Sequence, residues 1–210
     1  MRKPFWVLAA FTVLVGCSDM KVDDFADTQP AFVPEEYFAG KLRAWGLFQD
    51  RFGVVRRQFV VDIDGTWDGT TLTLVEDFVY TDGEIEQRVW EITKLDDDSY
   101  EGRADDVIGV AKGQIAGQAM NWNYIYDLKV GDGSWHVRFD DWMLLQGDGV
   151  MINRATVSKL GVTLGEVSLF FRKLSDAVQL DAEPAHAMHK GTVGSSSSRF
   201  AGIGLPQATQ

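Results

Sequence analysis

Two acidic pairs and an arginine, Asp105-Asp106, Asp140-Asp141 and Arg154, are the side chains best equipped for chemistry in this 210-residue chain. A carboxylate pair does general acid–base work where burial separates its two pKa values, and its oxygens also suit a hard cation. Both pairs lie in or beside stretches that alternate apolar and polar residues, and successive strand residues face opposite sides of a sheet. Only one aspartate of each pair can therefore point inward. The plainer reading is a structural network of Asp106, Asp140, Asp141 and Arg154, with an Asp–Arg pair closing one end of a barrel. On that weighing no catalytic residue is assigned.

A second set is aromatic. Trp90, Trp122, Tyr124, Tyr126 and Trp135 are candidate ligand-binding residues, in a chain that holds 7 Trp. Such rings line cavities and equally fill cores, and both readings stay open. His136 sits among alternating apolar neighbours with no partner nearby in sequence. His186 and His189 have i,i+3 spacing but no third ligand, so neither a metal nor another cofactor is expected. The sequence contains no serine-nucleophile elbow, phosphate loop or dinucleotide fingerprint.

The elements that must position these residues are strands. Val55, Phe59, Val61 and Ile63 alternate with Arg56, Gln58 and Asp62, and Asp64-Gly65 reads as the following turn. Leu72, Leu74, Phe78 and Tyr80 alternate with Thr71, Thr73 and Asp77 before a turn at Asp82-Gly83. Arg88, Trp90 and Ile92 oppose Val89 and Glu91; Met120, Trp122, Tyr124, Tyr126 and Leu128 follow a strict period of two. Trp135, Val137 and Phe139 continue the pattern, as do Val167, Leu169 and Phe171. Gly109, Gly113 and Gly117 recur every four residues and read as a glycine-kinked strand or loop. The count is eight to ten antiparallel strands without a long helix. The expected fold is all-β, an up-and-down, lipocalin-like barrel over residues 37–174, with a β-sandwich as the alternative.

Composition limits the partners. With 20 Lys+Arg against 31 Asp+Glu the formal charge is −11, which argues against nucleic acid and against docking on anionic lipid. The single cysteine, Cys17, excludes an internal disulfide and a cysteine-based zinc site. Arg2 and Lys3 precede an uncharged apolar run, 5–15, shorter than the roughly 20 residues of a membrane span and suited to a signal peptide. The run ends in Leu14-Val15-Gly16-Cys17, which resembles the bacterial lipobox. The resemblance implies removal of residues 1–16 and acylation of Cys17 by palmitate-like chains, each buried CH₂ contributing about 0.8 kcal/mol of anchoring. Ser18 in place of aspartate implies the outer membrane, facing the periplasm, although Asp19 follows. Residues 17–36 read as a lipid-anchored tether and 175–210 as a flexible tail.

The stretch 37–173 resembles the bacterial lipoprotein family catalogued as domain of unknown function 3833. The residues that carry the likeness begin with Ala44-Trp45-Gly46, Asp50-Arg51, Arg57-Gln58-Phe59 and Gly65-Thr66-Trp67. They continue through Arg88-Val89-Trp90, 100–109 (YEGRADDVIG) and Asn121-Trp122. The strongest blocks are 139–143 (FDDWM) and Ile152-Asn153-Arg154, followed by 159–162. The resemblance implies no activity. The expected function is an envelope lipoprotein that binds an apolar, lipid or fatty-acyl ligand. The alternatives are a structural or assembly lipoprotein acting through a protein partner, and a periplasmic enzyme using Asp106 or Asp140 with Arg154.

Overall fold

The computed structural model describes residues 20–174. Cys17 and the signal region, and the tail with His186 and His189, lie outside the described residues. Ten strands follow one another: β1 (Gly40–Asp50), β2 (Val55–Trp67), β3 (Thr71–Tyr80), β4 (Ile85–Lys94), β5 (Ser99–Arg103), β6 (Val107–Ala116), β7 (Ala119–Val130), β8 (Gly133–Leu145), β9 (Met151–Lys159) and β10 (Val162–Lys173). Each pairs antiparallel with its neighbours in sequence, and β1 also pairs with β10, which closes the barrel. The expected up-and-down barrel is therefore present, at the upper end of the expected strand count. No helix among the described residues is long and apolar enough to cross a membrane.

Alternation decides what lies inside. Leu42, Phe48, Val61, Leu72, Leu128, Val137, Met151 and Val157 point inward and are almost completely buried. The outer face carries a ladder of directly opposed apolar residues. Ile152 faces Phe170, Phe170 faces Trp45, Trp45 faces Val60 and Val60 faces Val79.

Three glycines stand out from the simple pattern. Asp64-Gly65 is not a turn: β2 runs through it to Trp67, and the chain reverses at Asp68-Gly69 instead. The Asp68 carboxylate accepts the amides of Thr70 (2.8 Å) and Thr71 (2.7 Å), and Gly69 has φ +102°. Gly65 serves a different end, because a Cβ there would strike the Phe38 carbonyl. In β6 the register shifts between Ile108 and Lys112, with Gly109 at φ +77°, so that segment is the glycine-kinked strand expected.

The stretch expected to be a tether is, from residue 21 onward, packed across one end of the barrel. A 3-10 turn (Val22–Phe25) and a short helix, α1 (Pro34–Tyr37), lead into β1. The Phe32 amide donates to the Gly117 carbonyl (2.8 Å), and the Gln118 amide donates to the Thr28 hydroxyl (3.0 Å). Lys94 Nζ and the Tyr100 hydroxyl each donate to the Glu35 carboxylate at 2.8 Å. Phe32, Pro34 and Phe38 are buried beneath this cap. Strand β10 ends at the same end, where Lys173 Nζ reaches the Glu36 carbonyl (2.7 Å).

Candidate functional site

The barrel interior is not completely filled. A cavity of about 150 Å³ runs from Pro34 and Phe38 under the cap towards Arg57 and Tyr80 at the opposite end. There the Arg57 guanidinium lies 3.4 Å from the Tyr80 ring centroid and pairs with Glu84. Trp90, Trp122, Tyr124, Tyr126 and Phe139 form an aromatic wall. Trp90 meets Trp122 and Tyr124 edge to face at 5.7 and 5.4 Å, and Tyr124 stacks on Phe139 at 4.9 Å. Such contacts fix ring positions beyond what area burial alone does. Glycines make room for them: a Cβ at Gly102 or Gly113 would collide with the Trp122 indole.

Among these rings stand Glu76, Arg88, Asp141 and Asn153. Arg88 Nε donates to Asp106 Oδ2 at 2.8 Å, and its guanidinium carbon lies 5.1 Å from the Tyr126 ring. Asn153 Nδ2 donates to Asp141 Oδ1 at 3.2 Å. No described side chain hydrogen-bonds the Glu76 carboxyl; Arg88, Asp106 and Asp141 act on it through space. Burial pushes Glu76 up to about 7, with Arg88 opposing and the nearby acids reinforcing the rise. Burial likewise pushes Asp141 up to about 7, against the hydrogen bond from Asn153. Half-buried Glu76 and buried Asp141 are therefore two carboxyls raised towards neutrality on the wall of one cavity.

The expected residues are redistributed. Trp90, Trp122, Tyr124 and Tyr126 line the cavity, but Trp135 does not. It is 37% exposed, with Lys159 Nζ 3.8 Å from its ring. The β7–β8 hairpin outruns its neighbours: β6 pairing stops at Tyr126 and β9 pairing at Arg138, leaving Trp135 beyond the barrel wall. The acidic pairs split as alternation requires. Asp141 is inside and 6% exposed, whereas Asp140 turns outward and accepts from Asn121 Nδ2 at 2.7 Å. Arg154 joins neither acidic pair. Its side chain is 66% exposed and bridges to Glu166 on the outer face. No aspartate pairs with Arg154; Asp106 pairs instead with Arg88, and Asp106, Asp140 and Arg154 do not converge on one site. His136 has Asp127 within 3.6 Å, a partner that its sequence neighbours did not reveal. Among the described residues no cluster of histidine, cysteine, aspartate and glutamate is suited to a metal ion.

Glu76, Arg57 and Asn153 are functional candidates that the sequence reading passed over. Their signal was the same period of two. Glu76 continues the inward series Leu72, Leu74, Phe78, Tyr80, and Asn153 lies in phase with Met151 and Ala155.

Residues 11–173 match the model of a protein family described as Protein of unknown function (DUF3833). No curated protein shows significant similarity to the chain. Among solved structures, the barrel is similar to the crystal structure of Rv2717c from M. tuberculosis, with a TM-score of 0.51 at 11% identity. The match covers 71% of this chain and 100% of that one. At so low an identity the likeness is one of fold alone.

Proposed function

We propose, for a chain that belongs to the DUF3833 family of proteins of unknown function, the role of an envelope lipoprotein whose lipocalin-like barrel binds a small ligand. The observation that carries this reading is the cavity of about 150 Å³ with its aromatic wall. Apolar cavities of about 150 Å³ accept benzene, whereas drug-sized ligands occupy about 300 Å³ or more. The expected lipid or fatty-acyl ligand is thereby narrowed to a ring-sized or short-chain body. Native mass spectrometry of protein extracted from membranes is expected to show a bound small molecule. An unliganded mass, together with unchanged tryptophan fluorescence in the presence of ring-sized probes, would remove the support for this role.

The anchor is the second part of the proposal and rests on Cys17 with its lipobox-like surroundings. Cys17→Ser is expected to move the protein from the outer-membrane fraction to the soluble one. Unchanged fractionation would refute the anchor.

The outward apolar ladder favours a second reading, a protein partner in the envelope. Trp45 and Phe170 are both exposed and directly opposed across β1 and β10. A photocrosslinker placed at Phe170 should capture a reproducible protein partner; adducts with lipid alone would count against it.

A further inference from the structure

Arg57, Arg88, Glu76 and Asp141 are the charged side chains that line the cavity, and acids outside the lining engage both arginines. Arg88 is committed to Asp106, and Arg57 to Glu84 with Asp82 nearby. Asp106 also retains Oδ1, buried and without a hydrogen-bond partner. Glu76 and Asp141 remain as carboxyls that line the cavity with no cation in contact among the described residues. They stand beside Trp90, Trp122 and Tyr124. Carboxylates next to aromatic rings form the set of groups that draws an ammonium out of water, since ring faces attract cations and a buried anion requires a partner.

We infer that the barrel selects an organic cation, a primary or substituted ammonium on a ring-sized apolar body. The nitrogen sits between Glu76 and Asp141, and the body packs against Trp90, Trp122 and Tyr124. This rests on the reading of the barrel as a ligand-binding protein and specifies its ligand class. An anionic ligand would face the two carboxyls, and its natural counter-ion, Arg88, is already held by Asp106. A neutral ligand would gain the aromatic contacts but leave the carboxyls unpaired.

Protonation follows from the same geometry. Glu76 on β3 is faced by Arg88 and Glu86 from β4 and by Asp141 from β8, with Asp106 from the β5–β6 connection close by. Asp141 is faced by Asn153 and Tyr124, with Asp140 and Arg88 near. Both carboxyls ionise near pH 7, so cation binding strengthens as pH rises through that value.

The test is a fluorescence titration of the detergent-solubilised full chain with benzylamine, benzyl alcohol and benzoate at about pH 8. Benzylammonium is expected to bind at least about tenfold more tightly than benzyl alcohol, with benzoate weakest. Glu76→Gln should collapse that preference, and Asp141→Asn should do so independently should the first variant fold poorly. Equal or tighter binding of benzyl alcohol or benzoate would overturn cation selection while leaving a ligand-binding barrel. Binding of none of the three would remove the ligand-binding reading itself, and the cation inference with it.

Discussion

Replacing Glu76 by glutamine should stabilise the empty barrel, and only where the carboxyl would be ionised. The carboxyl is lifted from 4.5 to about 7 by burial. Between those values the folded chain binds more protons than the unfolded one, so stability falls as pH rises. The full rise corresponds to about 3 kcal/mol at about 1.4 kcal/mol for each pH unit. Below the unfolded value both states are protonated and no loss remains. Urea unfolding of wild type and Glu76→Gln should therefore differ by about 2–3 kcal/mol at pH 8, in favour of the variant, and by less than about 1 kcal/mol at pH 5. In thermal melts the gap at pH 8 should be about 4–12 °C for a chain of this size. The exposed acids are present in both proteins and cancel in the difference, whereas Asp141 loses a like-charged neighbour in the variant, which works in the same direction. A variant no more stable than wild type at pH 8, or equally advantaged at pH 5, would refute the picture of a half-buried carboxyl with no cation in contact.

Three further outcomes test the surrounding structure. Gly65→Ala places a Cβ against the Phe38 carbonyl and should cost about 1–3 kcal/mol, with faster proteolysis around residues 20–38; an unchanged melt would show the cap to be loosely seated. Phe32→Ala empties a buried site under the cap and should cost about 3–5 kcal/mol in denaturant unfolding. Arg154→Ala should change stability by no more than about 0.5 kcal/mol, because its bridge to Glu166 is exposed. A loss above about 1 kcal/mol would return Arg154 to a structural role.

Strand order and the aromatic wall were legible because one side chain in two must face the core, and Trp122, Tyr124 and Tyr126 keep that beat without interruption. The polar centre was harder to see. Glu76 holds an inward position but is the wrong chemical type for a core, so a reading of apolar alternation steps over it. Trp135 has the right type and the right parity, yet parity does not reveal where neighbouring strands stop. Residues 21–36 lack regular alternation and look like linker in sequence. Their packing depends on Gly65 and Gly117, which are remote in the chain and whose missing side chains admit the Phe38 and Phe25 carbonyls.

Closure through β1 and β10 has a consequence for how the chain is made. The Tyr37 hydroxyl meets the Phe171 carbonyl at 3.3 Å across a separation of 134 residues. Contacts so distant in sequence form slowly, because a large loop must be ordered before they contribute. Until Lys173 has been synthesised, β1 and the newest strand are open edges of an incomplete sheet with an apolar face. Such edges invite pairing with other chains. The first strand emerges first and waits longest for its partner, so this interval is when the protein most needs a chaperone that covers β-edges.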